Sequence, residues 1–221
     1  MQCKRTISIA CLKKNEGGDY RSMKEYQNQA MEEIEKVVTE IFKYKVSSFF
    51  TFHSLEHTRQ VVEAAREIGN YYMLKDDDQF ILLAAAWFHD TGYSTGKSEH
   101  HEQESIRLAA DFLDYEFADK ELIKKVSSCI QSTRMPQVPS TLLDKIICDA
   151  DLFHLGTQKF EVMTERLRRE FQYYFDIEFT KESWRQQNIA FLSSHKYFTD
   201  YCQKKLEPVK QQWIQKSKNT I

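Results

Sequence analysis

The sequence predicts an all-α protein with about eight helices packed into one compact domain. Only six glycines and three prolines occur among its 221 residues, whereas an average protein of this length has about 25 of the two together. Sandwiches, barrels and doubly wound sheets need many turns, and turns consume these two residue types. In addition, apolar residues recur at three- and four-residue spacing along much of the chain, which is the period of an amphipathic helix.

The first elements follow from local signals in chain order. Residues 1–18 are predicted to be a loosely ordered leader, and the helical domain is predicted to cover residues 19–221, with a helical period that begins near Asp19. Ser54 has the side chain of an N-cap for the second helix. Three consecutive aspartates at 76–78 favour the start of the third helix through its dipole. That third helix is apolar on every side, so we expect it to be buried in the centre.

The rest of the chain is predicted to continue as helices with short breaks. Two helices at about 101–117 and 119–132 precede a break that contains two prolines. Ser140 then has the side chain of an N-cap for the next helix. Three more helices are expected, the last of them either kinked or restarted at Pro208; they cover residues 158–175, 181–193 and 199–217.

Charge and hydropathy exclude several kinds of partner. The chain carries 31 Lys and Arg against 33 Asp and Glu, a formal net charge of −2, so no basic surplus points to nucleic acid or to an anionic membrane. The longest apolar run, Phe80–Phe88, is far shorter than the roughly 20 residues that span a bilayer. Five cysteines without CxxC spacing are most simply free thiols, so we predict a cytoplasmic protein.

Histidines are clustered near two of the predicted helix boundaries. Five of the seven lie in two short segments: His53 and His57, then His89, His100 and His101. Solvated histidines would be scattered, so the clustering indicates a site. His89 and the adjacent carboxylate end the buried third helix, and together they could hold Mn, Fe, Co, Ni, Zn or Mg. A polar helix end capped by a histidine is the alternative.

Two further segments contribute side chains of the same kind. His53 and His57 are four residues apart and share a face if both are helical. Asp149 and Asp151 follow apolar residues on a later helix, and a carboxylate buried there needs a cation or several hydrogen-bond donors. One of these two aspartates could instead lie on a solvated helix face.

The order of these residues resembles the H…HD…D signature of the HD-domain superfamily of metal-dependent phosphohydrolases. The resemblance covers about residues 50–160, and within the superfamily the chain is similar to bacterial single-domain predicted HD phosphohydrolases. It implies an HD fold that binds one divalent metal ion through four side chains: His57, His89, Asp90 and Asp151. Asp149 is the competing choice for the last ligand.

The segment around His53 has a second resemblance. Phe52–His57 is similar to the Tyr-His-Asn-x-x-His motif of cyclic-nucleotide phosphodiesterases, in which the first histidine is the acid for the leaving group. Phe and Ser replace the Tyr and Asn of that motif here. The resemblance implies the same role for His53, and a histidine that helps Ser54 to cap the helix is the alternative.

The superfamily resemblance also predicts the metal count. Dinuclear HD enzymes carry a histidine in the register of His101 and further histidines after the next helix, where residues 130–134 include none. One metal ion is therefore expected rather than two, with His101 near the phosphate or orienting the water. Alarmone-hydrolysing members have a Glu-Asp pair after the His-Asp motif, and Thr91–Ser94 stands there instead, which counts against that activity.

Negative charge that develops on the phosphoryl group calls for a cation. Lys97, in the loop after the His-Asp motif, and Arg134, shortly before a proline, are the candidates. A solvated surface position is the alternative for each. In the C-terminal quarter, Trp184 and Trp213 are expected to make core or dimer contacts.

The sequence thus predicts an enzyme, a metal-dependent phosphohydrolase that directs metal-activated water at a phosphate mono- or diester of a nucleotide or similar small molecule. A sensor module that binds metal and nucleotide without hydrolysis is the alternative from a different class. A small phosphorylated substrate is the expected partner, while nucleic acid and membranes are not expected. The oligomeric state and the general base are left open.

Overall fold

The computed structural model describes residues 23–219, and within that range it contains helices and turns but no strand. The all-α prediction is therefore confirmed. The predicted leader, residues 1–18, lies outside the described residues. Ten α-helices occur in the described range rather than about eight, with these bounds: α1 Met23–Tyr44, α2 Leu55–Tyr71, α3 Asp76–Phe88, α4 His101–Phe117, α5 Lys120–Ser132, α6 Leu142–Asp151, α7 Phe160–Phe175, α8 Lys181–Ser194, α9 Asp200–Lys205 and α10 Glu207–Asn219.

Two short 3₁₀ helices follow α3 and α6, at Thr91–Thr95 and Phe153–Gly156. Each begins directly beyond a helix whose end carries candidate site residues. At the C-terminal end of the fold, α9 stops at Lys205 and α10 starts at Glu207. Pro208 lies in the first turn of α10, where its missing N–H has no helical partner to lose. Of the two predicted alternatives, the restart is therefore correct.

The third helix, α3, is the centre of the fold. Every residue from Phe80 to Phe88 is buried, and α3 packs against α1, α2, α4, α5 and α6. A helix that is apolar on all sides is stable in water only when neighbours cover it in this way. The prediction of a central buried helix is confirmed. As a result, the residues that follow Phe88 leave the helix inside the protein rather than at its surface.

Side-chain caps determine where the site-bearing helices begin. The Ser54 hydroxyl accepts a hydrogen bond from the His57 N–H at 3.4 Å, so Ser54 is the N-cap of α2 as predicted. At α6 the N-cap is Thr141 rather than Ser140, because Thr141 and Asp144 form a reciprocal capping box. Ser140 supports that box, since its hydroxyl donates to Asp144 at 3.0 Å.

Helices α7, α8 and α10 and the 3₁₀ turn after α6 enclose a smaller second core. Trp213 lies in this core and donates its indole N–H to the Thr157 carbonyl at 2.9 Å, so it makes the core contact predicted for it. The other buried apolar side chains of this core are Leu152, Leu155, Phe160, Leu192 and Ile214.

No helix among residues 23–219 is long and apolar enough to cross a membrane. Three of the five cysteines, Cys129, Cys148 and Cys202, are buried free thiols, as predicted. The other two precede the described residues. The domain boundary predicted at residue 19 also falls outside this range, and it stays a prediction.

Candidate active site and metal centre

Three segments bring two imidazoles and two carboxylates to one point. His57 Nε2 lies 3.1 Å from Asp151 Oδ1 and 3.6 Å from Asp90 Oδ2. His89 Nε2 lies 3.1 Å from Asp90 Oδ2 and 3.7 Å from Asp151 Oδ1. The side chains of His57, His89 and Asp90 are almost fully buried, whereas that of Asp151 is 18% exposed. Ligand atoms of His57, His89 and Asp90 all lie within 4.8 Å of one another, and Asp151 contacts both histidines from beside this group. We call these four residues, the ones predicted as ligands, the metal cluster.

The end of α3 explains how two adjacent residues reach the same point. Neighbouring side chains on a regular helix diverge by about 100°. His89 keeps helical dihedral angles (φ −51°, ψ −37°), whereas Asp90 has φ −107° and ψ 4°. This departure at Asp90 allows its carboxylate to approach the His89 ring. The following 3₁₀ turn is closed by the Tyr93 N–H, which donates to the Asp90 carbonyl at 3.2 Å.

The hydrogen bonds around the cluster show that its residues fit a cation. His89 Nδ1 faces the Ala86 carbonyl at 2.8 Å, so Nδ1 carries the proton and donates it. His89 Nε2 faces Asp90 Oδ2 at 3.1 Å, and both atoms are buried without a hydrogen-bond partner in the described part of the chain. Two such ligand atoms side by side call for a positive charge between them, either a proton on Nε2 or a shared cation. Imidazole nitrogen and carboxylate oxygen are donors that divalent first-row metals accept.

The charges of the cluster favour the same conclusion. Burial raises the pKa of Asp90 and of Asp151, but the facing His89 and His57 rings outweigh burial and hold both carboxyl pKa values below the ordinary range. Both carboxylates are therefore ionised at neutral pH. Burial lowers the pKa of His89, but Asp90 and Asp151 outweigh burial and raise it, so in the absence of a metal ion a proton on this ring balances the carboxylates. A divalent cation would supply that positive charge at the same point.

Asp149 and Asp151, between which the sequence leaves the choice of ligand open, have different contacts. Asp149 is fully buried and accepts hydrogen bonds from the Phe198 N–H at 2.8 Å, the Thr199 N–H at 2.8 Å and the Thr199 hydroxyl at 2.6 Å. Its carboxylate therefore holds the start of α9. Asp151, two residues further along α6, contacts the cluster histidines instead.

His53 lies beside the metal cluster and is held by a residue that sequence reasoning missed. The His53 Nδ1–H donates to Glu170 Oε1, while Glu170 Oε2 accepts the Phe52 N–H at 2.9 Å and the His53 N–H at 3.1 Å. Glu170 lies on α7 and is 3% exposed. Burial lowers the pKa of His53, but the Glu170 carboxylate more than offsets this, so the pKa lies above its usual value. In the sequence Glu170 follows two arginines, a pattern typical of a solvated helix face.

Tyr93 lies between two candidate catalytic histidines. Its ring centroid is 4.2 Å from that of His53 and 4.4 Å from that of His101. His101 Nδ1 donates to the Ser98 carbonyl at 2.9 Å, and its Nε2 lies 3.6 Å from Asp90 Oδ1. His101 thus faces the Asp90 oxygen that the cluster histidines leave uncovered. The structure brings both His53 and His101 to the site, with Tyr93 packed against each of them.

Gly92 sets the distance between the 3₁₀ turn and α4. A Cβ atom at Gly92 would lie 1.9 Å from the His101 carbonyl oxygen, far inside van der Waals contact. The Gly92 N–H also donates to the Ser105 hydroxyl at 2.8 Å. This close approach is what places the His101 ring beside Asp90.

The two predicted cations behave differently. Arg134 is exposed but lines the rim of the cavity that contains His53 and His101. Lys97 is exposed and does not line that cavity, because the chain turns at Gly96 in the left-handed conformation (φ 74°) just before it. The structure therefore does not bring Lys97 to the site, and Arg134 is the cation that it does bring there.

A cavity of about 800 Å³ connects these groups. His53, His101, Asp90 and Asp151 line one part, and the cavity continues to residues of α7 and α8, among them Trp184. Small-molecule sites typically have volumes of about 300–1,000 Å³. Trp184 packs in the interior as predicted, since it is 8% exposed, but its place in the cavity wall was not apparent from the sequence.

An all-α frame gathers His, His-Asp and Asp side chains beside a cavity, where they could hold a metal ion. Residues 54–156 match the HD-domain family model, so the chain is similar to that family over this segment. Such domains typically are metal-dependent phosphohydrolases. The resemblance seen in the sequence is thereby confirmed.

No curated protein matches the chain. Among solved structures, the chain is similar to a crystal structure described as a predicted HD superfamily hydrolase from an uncultured Thermotogales bacterium. The two are 25% identical with a TM-score of 0.49, and the match covers 73% of this chain and 86% of the other.

Proposed function

We propose that the protein hydrolyses a phosphate ester of a small molecule, with one divalent metal ion held by His57, His89, Asp90 and Asp151. The observation that carries the proposal is the buried contact of His89 Nε2 with Asp90 Oδ2, two ligand atoms without a hydrogen-bond partner among the described residues, beside a substrate-sized cavity. A divalent cation bound there supplies Lewis-acid polarisation of a phosphoryl oxygen and lowers the pKa of a water molecule.

The residues of the chain supply the rest of the chemistry. Glu170 raises the pKa of His53 and so favours its protonated form, and His53 faces the same cavity as the cluster. It can therefore donate that proton to the leaving oxygen as the ester bond breaks. Arg134 at the rim provides a positive charge for the phosphate. His101, oriented by Ser98, can accept a hydrogen bond at Nε2 from a water molecule or from the substrate.

The experiment measures phosphate release by the purified protein. Mn, Mg, Co and Ni are each added to metal-free protein, with p-nitrophenyl phosphate and bis-p-nitrophenyl phosphate as monoester and diester. At least one metal is expected to restore turnover, and His89→Ala is expected to abolish it. Asp114→Asn, a change at an exposed position on α4, is the control and should remain active. Turnover that no metal restores would contradict the proposal.

Metal content distinguishes the two candidate functions and the two metal counts. One bound ion per chain is expected by elemental analysis, with a second, weaker ion at His101 and Asp90 Oδ1 as the alternative. Tight binding of metal and nucleotide without product would favour the sensor function instead. A nucleotide substrate and a cytoplasmic location are parts of this proposal that rest on the superfamily resemblance and on the free thiols.

A further inference from the structure

The far part of the cavity has a composition that phosphate binding does not explain. Helices α7 and α8 line it with large apolar side chains, and the Phe171 and Trp184 rings meet there edge to face at a centroid distance of 6.0 Å. Phe160, Leu167 and Phe191 extend the same wall. A phosphate group gains nothing from such a wall, whereas a planar apolar group is well matched to it.

Two polar groups are placed within this apolar wall. The Thr164 hydroxyl donates to Asn188 Oδ1 at 2.6 Å, which orients the amide and leaves the Asn188 NH₂ group as a donor for another acceptor. The buried Trp184 indole N–H has no hydrogen-bond partner in the described chain. A few oriented donors in an otherwise apolar wall fix the orientation of a bound ring.

The charged residues that line the cavity limit the number of phosphate groups that a ligand can carry. Among the described residues that line it, Arg134 is the one Lys or Arg, against four acids: Asp90, Glu99, Glu102 and Asp151. The α7 and α8 residues of the wall carry no formal charge. A single phosphate can be neutralised by one metal ion and Arg134. A di- or triphosphate would bring additional negative charge next to Glu99 and Glu102 without further cations.

We infer that the substrate is a phosphate monoester that carries a planar ring, and that this ring binds between α7 and α8 against Phe171, Trp184 and Asn188. This rests on the proposed function and specifies its substrate class. The monophosphate lies at the metal cluster, and the ring lies in the apolar part of the same cavity. Polyphosphates and small polar esters are poor substrates.

The first test compares kcat/KM for three phosphates: 1-naphthyl phosphate, glycerol 1-phosphate and ATP. We expect 1-naphthyl phosphate to exceed each of the others by at least about tenfold, the discrimination that an apolar pocket provides. Phe171→Ala, and Leu167→Trp as a second variant that fills the cavity, should lower the naphthyl-to-glycerol ratio by a similar factor. Val162→Ala, at an exposed position of α7, should leave the ratio unchanged. Equal values for all three substrates would overturn the inference.

The second test does not depend on turnover. Binding of 1-naphthylmethylphosphonate to the full-length protein is followed by tryptophan fluorescence with and without added metal. The change in emission is expected to disappear in Trp184→Phe and to persist in Trp213→Phe, because Trp213 lies in the second core. Binding without hydrolysis of any ester would support the subsite and contradict the proposed enzyme. Hydrolysis with a fluorescence change that survives Trp184→Phe would overturn the subsite alone.

Discussion

Glu170 holds His53 at both its ring and its backbone N–H, across 117 positions of the chain. The carboxylate fixes the ring in one orientation and adds negative charge beside it. Because Glu170 lies on α7, the orientation of the His53 ring depends on a helix outside the HD-domain match. This contact gives the clearest prediction about proton transfer.

Glu170→Gln is expected to move the alkaline limb of the kcat profile to lower pH. His53 is active as an acid when protonated, so activity is lost as the pH rises through its pKa. The Glu170 charge raises that pKa, and its removal must lower it, by about one unit if about 1.4 kcal/mol of interaction is lost. Glu161→Gln on the same helix is the control, since Glu161 pairs with Lys216. An unchanged alkaline limb in Glu170→Gln would show that His53 is not the titrating acid.

His53→Gln is expected to slow esters with poor leaving groups more than esters with good ones. A general acid contributes about 10²–10⁴-fold to such a step, but a nitrophenolate leaves readily without a proton. We therefore expect a kcat loss of about 100-fold for an alkyl phosphate and a much smaller loss for p-nitrophenyl phosphate. Equal losses for both esters would argue that His53 binds rather than protonates the substrate.

Chelation is expected to lower the melting temperature of the wild-type protein. A ligand at 100 times its Kd stabilises the fold by about 2.7 kcal/mol, and each kcal/mol shifts the Tm of a chain this size by about 2–4 °C. The expected shift is therefore roughly 5–10 °C. Asp90→Asn should abolish the shift, whereas Asp114→Asn should keep it. A metal-dependent shift that persists in Asp90→Asn would remove Asp90 from the ligand set.

Gly92→Ala is expected to destabilise the fold far more than Gly96→Ala. A Cβ atom at Gly92 overlaps the His101 backbone, and main chain cannot yield as a flexible side chain does, so we expect a loss of about 3 kcal/mol or more. At Gly96 the space is open and the positive φ is the strain, which costs about 1–2 kcal/mol. Urea denaturation measures both. Equal losses would mean that the turn and α4 separate without penalty.

Asp144→Ala is expected to destabilise the protein by about 1–2 kcal/mol at neutral pH, because it removes the capping box of α6. Burial raises the pKa of Asp144, but hydrogen bonds from Thr141 and Ser140 outweigh it and lower the pKa. The ionised carboxylate therefore stabilises the fold above its ordinary pKa, near 4. That contribution is lost as the pH falls through the lowered value. The difference in unfolding free energy between wild type and variant should shrink in acid, and a constant difference would contradict this assignment.

Features with a local cause were predictable from the sequence. The apolar run of α3 implied its central position, and the cap at Ser54 and the restart at Pro208 follow from single side chains and their neighbours. The four cluster residues could be proposed together because each lies at a helix boundary or in an apolar segment. The resemblance to HD domains supplied their grouping.

Features that depend on distant contacts were not predictable. In the sequence Glu170 is one more charged residue on a polar helix. Only the folded chain shows that it accepts hydrogen bonds from Phe52 and His53, which precede α2. The choice between Asp149 and Asp151 required the position of Thr199, 50 residues further along the chain. In the sequence Lys97 and Arg134 were both candidates for the cation that binds the phosphate. Only the structure shows that Arg134 lines the cavity and that Lys97 does not.

The three hydrogen bonds that Asp149 accepts from Phe198 and Thr199 have a practical consequence for dividing this protein. An excised fragment limited to residues 54–156 would keep all four cluster residues in its sequence. It would also leave the Asp149 carboxylate without its donors, and it would lack both His53 and Glu170. A fragment made for expression must therefore be longer than the family match, and it must extend at least as far as α9.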